Sequence, residues 1–410
     1  WRVLGHRISL LFCFHNSYYC AVHGSAIETR QGIAPMKICL TITSSPWSMF
    51  KGGGQLAVHQ LACALSAKGH EVHALYSKYT DEHFEVEVPY KIHWAQHHDF
   101  ATVNLNIFSY SKVLAPLAAK EKFDIIHGNA EEACGVRNIA TRIKAAYVFT
   151  SHAPNIPTTG ILRGMAHPIR FLKSINTYLL RQAMDEADRI VAFSQFSREL
   201  IVKGLGNACA NRVEVIPPGI ESSWFEVERN PVVPTQLIFW GRVEEEKGLP
   251  ELFVALNTVA KKFANVKLTL VGEGNRLQEY KTRVIDLGLA DRVEFTGWLN
   301  NREIQTLAAK SSIGIFPSRI ESFGLSVVEA MATGLPVIVA RGGAVPENID
   351  DGVTGTLVPV NDSDALAKAI NKALEKSQSS ETMAKAAKTA VQQKFSWGRA
   401  ADSMIEIYKN

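Results

Sequence analysis

Short apolar strands alternate with helices along most of this chain, and the alternation occurs twice. The first series opens with an apolar strand at 38–43, a glycine-rich turn at 52–54 and a helix at 55–68 with apolar residues at helical spacing. The second series opens at 237–240 and continues to a helix at 363–376. Strands that alternate with helices pair into parallel sheets covered by helices on both faces. The sequence therefore predicts an α/β fold with two doubly wound, Rossmann-like domains.

The break between the two series is the segment 216–219, Ile-Pro-Pro-Gly. Two consecutive prolines cannot continue a central strand, because neither can donate a hydrogen bond to its neighbour. We therefore expect an N-terminal domain at 36–217, a C-terminal domain at 218–395 and one last helix within 396–410. Ligands of doubly wound sheets bind beyond the carboxyl ends of the strands. Two such domains on a hinge leave a central cleft, where we expect the chemistry.

The first 35 residues differ from the rest of the chain. They start at Trp1, show no clear hydrophobic period, and contain only a short apolar stretch at 8–14. That stretch is at the lower limit for a secretory signal, and no good cleavage site follows it. A strand starts directly after Met36. We expect residues 1–35 to be extra or read-through sequence outside the native fold, and a disordered native extension is the alternative.

Composition excludes several classes of protein. Forty-four basic and 40 acidic residues give a net charge of +4, which is too small for a protein whose main partner is nucleic acid. The six cysteines form no CxxC pair, so neither a zinc site nor a disulfide framework is indicated. Unpaired cysteines favour a reducing compartment, hence a cytoplasmic location. No apolar run approaches the roughly 18 residues that span a bilayer.

A basic pair follows the first strand of the second series. Arg242 comes directly after Gly241, and Lys247 precedes Gly248 in the same turn. An arginine fork and a lysine point charge at the carboxyl edge of a sheet could bind a diphosphate. The alternative is a solvated loop, because three glutamates at 244–246 could pair with both cations.

Two further turns follow strands, and their signals are weaker. Gly272 and Gly274 form half of a dinucleotide-binding fingerprint, which is equally typical of a tight turn. Leu299 follows the Gly297-Trp298 pair at the end of another strand. Its backbone could line a nucleobase, or Trp298 could simply pack against the domain.

The segment 321–329, Glu-Ser-Phe-Gly-Leu-Ser-Val-Val-Glu, is the most specific signal. Backbone N–H groups at 324–326 open a helix and are expected to form an anion site. Glu321 precedes that helix, and Glu329 lies within it among apolar residues, where burial would require a partner. Acids beside a phosphate site suit hydrogen bonds to sugar hydroxyls. A capping role for Glu321 and a surface position for Glu329 are the alternatives.

The first domain offers two candidates of its own. Gly53 and Gly54 lie between the first strand and the first helix, where glycine permits close approach of a ligand. His152 ends a strand in Thr-Ser-His-Ala-Pro. A single histidine at a strand end is more often structural than catalytic, so the residues alone leave its role open.

Together these motifs resemble the retaining nucleotide-sugar glycosyltransferases of family four (glycosyl transferases group 1), which have the GT-B fold. The resemblance rests on the Glu-x7-Glu pair, on Gly-Arg with Glu-Lys-Gly at 241–248, and on Pro-Ser at 317–318, and it runs from about Met36 to Tyr408. It implies a hexosyltransferase that moves a sugar from a nucleotide-diphosphate sugar to an acceptor hydroxyl. It also implies that the last helix crosses back onto the first domain.

The resemblance assigns roles to individual residues. Arg242 and Lys247 would bind the diphosphate, Glu321 the donor sugar and Glu329 the ribose, while His152 would lie beside the reacting carbon. The donor-binding set it implies is Gly53, Gly54, Gly272, Gly274, Leu299, Phe323, Gly324, Leu325, Ser326 and Glu329. Two positions depart from the family pattern, because Ala153 and Glu221 stand where the family often has aspartate. Ala153 leaves the acceptor contacts open, and the acceptor itself is not indicated.

Other interpretations stay open. A nucleotide-sugar 2-epimerase of the same fold and a non-catalytic sugar-nucleotide-binding protein share these features, whereas a nicotinamide oxidoreductase would need a full Gly-x-Gly-x-x-Gly. Asp362 and Asp364 match a metal-binding Asp-x-Asp, but their place before a helix predicts an N-cap and a first-turn acid. We expect no metal and no resident cofactor. A stretch with Arg163, Arg170, Lys173 and Arg181 could be an ordinary helix or one that lies on a membrane surface. The oligomeric state is not indicated.

Overall fold

The structure is a computed structural model that describes residues 34–48, 52–100, 103–104, 106–152, 168–230 and 235–409. The predicted N-terminal extension at 1–35 lies outside the described residues, apart from its last two. The chain enters the fold at β1 (Lys37–Ile42), directly after Met36. Five of the six residues of β1 are buried, as the apolar run predicts.

The N-terminal sheet has seven parallel strands in the order β3-β2-β1-β6-β7-β8-β9. After β1 its strands are β2 (Glu71–Lys78), β3 (Lys91–Gln96), β6 (Ile125–Gly128), β7 (Ala146–Ser151), β8 (Arg189–Ala192) and β9 (Val213–Val215), and a separate short antiparallel pair is β4 (Asp99–Phe100) with β5 (Val103–Asn104). The helices of this half are α1 (Gly53–Ala67), α2 (Asn106–Glu121), α3 (Val136–Ile143), α4 (Pro168–Asp185) and α5 (Gln195–Leu205). The strand order reverses direction between β1 and β6, which is where such sheets bind ligands.

The C-terminal sheet has six parallel strands in the order β12-β11-β10-β13-β14-β15. They are β10 (Gln236–Trp240), β11 (Lys267–Val271), β12 (Val293–Gly297), β13 (Ile313–Phe316), β14 (Val337–Ala340) and β15 (Thr356–Val358). The helices are α6 (Leu249–Ala260), α7 (Leu277–Asp286), α8 (Asn301–Lys310), α9 (Leu325–Thr333), α10 (Val345–Asn348), α11 (Ser363–Glu375) and α12 (Ser377–Lys394). The switch point lies between β10 and β13. The two predicted doubly wound domains are therefore confirmed.

The last helix, α13 (Trp397–Lys409), packs on the N-terminal domain rather than on the domain that precedes it in sequence. Its buried residues Ala401, Met404 and Ile405 join the same apolar cluster as α1 and β1. The Tyr408 hydroxyl lies 2.6 Å from Nδ1 of His127, which is fully buried on β6. Strand β6 is thereby hydrogen-bonded to the end of the chain.

Local signals in the sequence set several helix ends. Asn300 caps α8, and Glu303 returns a bond to the Asn300 N–H in a capping box. Asp362 caps α11 by accepting from the N–H of Ala365 at 2.8 Å, as predicted. Asp364 lies in the first turn of the same helix.

Among the described helices, none combines the length and the apolar character needed to cross a bilayer. The predicted basic stretch falls partly on α4. Arg163 and the side chains at 168–174 lie outside the described part of the chain, so the membrane interpretation stays a prediction.

Candidate active site

The cleft between the domains lies at the switch points of both sheets and contains a cavity of about 270 Å³. Most of the predicted site residues meet there. The cleft is lined by His152, Arg242, Lys247 and Glu321, and by Gly53, Gly54, Phe323, Gly324, Leu325 and Glu329.

Two helix N-termini face each other across this cleft. Helix α1 begins at Gly53, and a Cβ built there would lie 3.8 Å from Cδ2 of Leu325, the first residue of α9. The first N–H groups of a helix have no partner within it and carry a partial positive charge. The two N-termini therefore offer N–H donors and partial positive charge that suit an anion.

The loop before α1 is closed by one glutamine. Nε2 of Gln55 donates to the Thr43 carbonyl at 2.8 Å, and the Gly52 N–H donates to its Oε1 at 3.0 Å. These bonds fix where α1 starts, so that Gly54 lies against His152. A Cβ at position 54 would lie 3.5 Å from Nδ1 of His152 and would cover that side of the ring.

His152 follows directly after β7, and its ring is held in one orientation. Its Nε2 lies 2.9 Å from Oδ1 of Asn129. The Asn129 amide nitrogen donates to the backbone carbonyls of Thr41 and His127, so Oδ1 accepts and Nε2 carries the ring proton. Burial lowers the pKa of His152 to about 4. The imidazole is therefore neutral near pH 7, with an Nδ1 lone pair toward α1.

Lys247 and Glu321 form an ion pair inside the cleft. Nζ of Lys247 donates to Oε1 of Glu321 at 2.6 Å, and the two side chains are 14% and 19% exposed. The pair joins positions that are 74 residues apart in sequence. Lys247 pairs with Glu321 instead of with the neighbouring glutamates. Neither side chain therefore takes the alternative role that the sequence left open for it.

Backbone contacts bring the Lys247 turn to Glu321. Residues Glu245–Lys247 form a single 3-10 turn that ends at Gly248, whose φ is +64°. A side chain at Gly248 would collide with the carbonyl oxygen of Pro317. Only glycine permits this approach between the loop after β10 and the segment after β13.

Arg242 lies at the mouth of the cleft and is largely exposed. Its Nη2 donates to Oε1 of Glu246 at 3.0 Å, and the Arg242 side chain is 72% exposed. An exposed pair of this kind contributes little stability. For Arg242 the structure therefore shows the predicted alternative, a solvated loop in which a neighbouring glutamate pairs with the cation.

Glu329 has the buried partner that its apolar surroundings require. Nε1 of Trp240 donates to its Oε2 at 3.0 Å, and the Trp240 ring is stacked on Trp224 with centroids 5.8 Å apart. Burial raises the pKa of Glu329 to about 8, the indole bond opposes that shift, and the nearby charge of Glu221 adds to it. The carboxyl group is therefore largely protonated near pH 7 and presents both a donor and an acceptor to a ligand.

Four predicted donor residues do not line the cleft. Gly272 and Gly274 instead pack on the loop after β10, where a side chain would collide with the carbonyl oxygens of Gly241 and Val243. Leu299 packs against the C-terminal core. Ser326 lies in the first turn of α9, beside the lining residue Leu325.

Sequence reasoning missed several residues of this site. Gln60 of α1, Asn301 of α8 and Trp397 of α13 also line the cleft. Gln60 lies two turns into α1, a helix predicted from its apolar positions alone, and Trp397 lies some 180 residues beyond the hinge that it contacts. The break between the two series at 216–219 could have indicated this part of the site, because Pro218 and Gly219 line the cleft as well.

One group of ligand-type side chains clusters outside the cleft among the described residues. Glu71, His73 and Glu121 lie close enough together to hold a metal ion. Lys37 already occupies that position, with its Nζ 3.4 Å from Glu71 and 3.3 Å from Glu121. We interpret the cluster as an ion-pair network at the amino edge of the sheet, remote from the chemistry.

Two family models match the chain. The model described as Glycosyltransferase Family 4 matches residues 51–224, and the model described as Glycosyl transferases group 1 matches residues 221–390. A glycosyltransferase of Methanocaldococcus jannaschii is 26% identical over 377 residues, which cover 87% of this chain and 94% of that protein. Glycogen synthase of Mycobacterium tuberculosis is 28% identical over 58% of this chain, and the match spans 57% of that enzyme.

Solved structures agree on the fold. Sucrose-phosphate synthase from Thermosynechococcus elongatus is similar with a TM-score of 0.75 at 21% identity, over 91% of this chain and 98% of that one. Anabaena HepE in complex with UDP-glucose is similar with a TM-score of 0.68 at 21% identity, over 90% and 98% of the two chains. These likenesses extend over nine-tenths of this chain and confirm the predicted GT-B fold.

Proposed function

The chain belongs to the group 1 glycosyltransferases, and from this premise we propose that it moves a sugar from a nucleotide-diphosphate sugar to an acceptor hydroxyl with retention of configuration. The observation that carries the proposal is the cleft itself. It combines two helix N-termini, the Lys247–Glu321 pair and Arg242 with a neutral histidine on the opposite wall. Cationic groups suit a diphosphate, and the acids suit sugar hydroxyls.

In the proposed reaction the bond between C1 of the sugar and the diphosphate breaks, and charge builds on the leaving phosphate. Arg242, Lys247 and the first-turn N–H groups of α9 stabilise that charge. Groups already held in place for developing charge are often the largest contribution to catalysis. These cations supply the charge that a metal would otherwise bring, so the proposed reaction is independent of metal.

The acids act at the two ends of the donor. Glu321 binds sugar hydroxyls and keeps Lys247 beside the phosphate. Glu329, which is hydrogen-bonded to Trp240, binds the ribose. Neither is assigned as a covalent nucleophile, since double displacement needs a carboxylate positioned at C1. The acceptor attacks from the face that the diphosphate leaves, and the leaving phosphate takes its proton. His152, with its Nδ1 lone pair toward α1, contacts the sugar at the reacting carbon.

Proteins similar to this chain suggest which donors to test. HepE is in complex with UDP-glucose, starch synthase IV from Arabidopsis thaliana is bound to ADP, and a mannosyltransferase of Mycolicibacterium smegmatis is named as GDP-mannose-dependent. A panel of UDP-, ADP- and GDP-sugars should therefore contain a donor that raises the unfolding temperature and is slowly hydrolysed without acceptor. Hydrolysis should persist in excess EDTA.

The released sugar distinguishes the alternatives. A retaining transferase should release the anomer that matches the donor, which NMR of the first product would show. An inverted anomer would refute retention, and loss of activity in EDTA that manganese restores would refute independence from metal. A 2-epimer released without acceptor would identify an epimerase. A panel in which no sugar nucleotide stabilises the wild-type protein would refute the proposed function as a whole.

A further inference from the structure

One set of contacts joins the two domains beside the catalytic residues. It lies at the amino end of α5, in the N-terminal domain, and at the segment 321–323 with α10, in the C-terminal domain. Hydroxyls of Ser194 and Ser197 both donate to the backbone carbonyl of Ser322, at 2.6 and 3.0 Å. These serines are 3% and 2% exposed, so the contact excludes water.

Glu347 completes this junction from the other domain. Its Oε2 accepts from the N–H of Gln195 at 2.8 Å, and its Oε1 accepts from the N–H of Phe196 at 2.7 Å. Gln195 is the first residue of α5, where N–H groups lack partners and the helix dipole favours negative charge. A carboxylate of one domain thus satisfies the helix N-terminus of the other with two charge-assisted bonds.

The same junction is bonded to both halves of the catalytic site. The Ala344 N–H donates to the Glu321 carbonyl at 2.9 Å, and the Asn348 amide donates to the Phe323 carbonyl, so the segment that carries Glu347 also fixes the backbone at Glu321. On the other side, the Ser322 hydroxyl donates to the carbonyl of His152 at 3.3 Å. Glu321 and His152 therefore take their relative position through this junction.

We infer that Glu347 is a positioning residue that latches the two domains together at the amino end of α5 and so sets His152 against Glu321 in the closed enzyme. The inference rests on the proposed function only for its kinetic consequence. The latch consists of Glu347, Ser194, Ser197 and Ser322. It engages when the cleft closes and must release when the cleft opens for donor entry and nucleotide release.

The test compares Glu347→Ala and Glu347→Gln with a matched control, Asp364→Asn. Asp364 is an exposed acid in the first turn of α11 and lies within its own domain. Ser197→Ala is the second variant, because it removes one bond to Ser322 and leaves the Ser194 cap of α5 in place. Small-angle X-ray scattering of each protein, with and without UDP, ADP and GDP, reports how far the domains open.

We expect Glu347→Ala and Ser197→Ala to have a larger radius of gyration than the wild type under the same conditions, and Asp364→Asn to be unchanged. With the active donor, kcat/KM of Glu347→Ala should fall about 3- to 30-fold, as loss of a charge-assisted bond at a helix N-terminus predicts. Glu347→Gln keeps one acceptor oxygen, so its kcat/KM should fall less than that of Glu347→Ala. Because the residue acts through domain closure, the unfolding temperature should stay within a few degrees of the wild type.

Scattering curves of Glu347→Ala and Ser197→Ala that superimpose on the wild type in every condition would overturn the latch. So would an unchanged kcat/KM in both variants of an active enzyme. A wild-type protein that transfers no sugar would instead refute the proposed function, and the scattering comparison would still decide whether the latch exists.

Discussion

Arg242 and Lys247 occupy one turn but differ in their surroundings, since Arg242 is exposed and Lys247 is enclosed beside Glu321. Replacing either with alanine should lower turnover on the order of 10²-fold or more, because in the proposed reaction both stabilise charge on the leaving phosphate. Lys247→Ala should be the more damaging, since it also leaves Glu321 unpaired. Steady-state rates with the active donor test this, and the exposed Lys261→Ala should stay at the wild-type rate. Near-normal turnover in both cleft variants would show that the diphosphate binds elsewhere.

Substitutions of Glu321 and of Glu329 should affect different kinetic constants. Glu321→Gln should depress kcat strongly, because bonds to the sugar matter most in the transition state, whereas Glu329→Gln should mainly raise KM. A free nucleoside diphosphate has the ribose but lacks the sugar. Its affinity by calorimetry should fall in the Glu329 variant and change little in the Glu321 variant. The reverse pattern would mean that the two roles are exchanged.

The raised pKa of Glu329 also predicts how stability depends on pH. Its carboxyl keeps its proton in the folded state up to about pH 8, while in the unfolded chain it ionises near the ordinary glutamate value of about 4.3. Between these values the folded state holds one more proton, so this group makes unfolding easier as pH rises. Glu329→Gln cannot ionise and should gain stability relative to the wild type between pH 5 and 8. A difference in unfolding free energy that is constant over this range would show that Glu329 titrates normally.

Among the elements, α13 is attached to the N-terminal domain by its apolar face and by a buried hydrogen bond near its end. Tyr408→Phe removes the hydroxyl that is hydrogen-bonded to His127, whose pKa burial lowers to about 3, and leaves Nδ1 unsatisfied. Loss of a buried partner costs about 1–3 kcal/mol, so urea unfolding should show that decrease. Tyr178→Phe on α4 is the control, since Tyr178 is 47% exposed. Equal stability of the two variants would mean that this bond does not hold α13 in place.

How much of the fold the sequence predicts depends on each element's share of the core. The strands predicted at 38–43 and 237–240 match β1 and β10 to within one residue at each end, because both are short apolar runs followed by a turn. Helix α12 was missed, since its buried face consists of Ala384, Ala387 and Val391, too small a stripe to give a clear period. Helix α2 was missed as well, and it carries Pro116 in its interior.

For the candidate site, the sequence predicted residues at strand ends better than it predicted the partners of those residues. Motifs located most of the predicted residues that line the cleft, because glycines, cations and acids at strand ends have local signatures. The partners of those residues have none. Trp240 was predicted only as the end of a strand, and nothing local indicates that its indole bonds Glu329, 89 residues away. Glu347 had no signal, because its partners are backbone N–H groups of another domain.

At the scale of the whole molecule, the chain crosses between the domains twice at one place. Ile220, just after the hinge, is bridged to Ser396, just before α13, and a side chain at Gly219 would collide with the backbone of Trp397. Gly219→Ala should therefore displace the two crossings and lower transfer about 10-fold or more, since a misplacement of about 1 Å can cost 10²-fold. At Gly398, one residue beyond Trp397, an added Cβ would lie 4.0 Å from the Ser396 hydroxyl without a clash, so Gly398→Ala should be neutral. Equal rates and unfolding temperatures in the two variants would show that the crossings are loosely packed.

The return of α13 also has a consequence for synthesis on the ribosome. The N-terminal sheet is complete once β9 has emerged, yet the apolar face that receives Met404 and Ile405 stays uncovered until the end of the chain is made. Nearly two hundred residues separate those events, which at about 5–20 residues per second is roughly 10–40 s. During that time the first domain exposes a hydrophobic surface, and His127 lacks its hydrogen-bond partner Tyr408. The nascent chain should thus depend on a holding chaperone for that interval, and the finished domain should not.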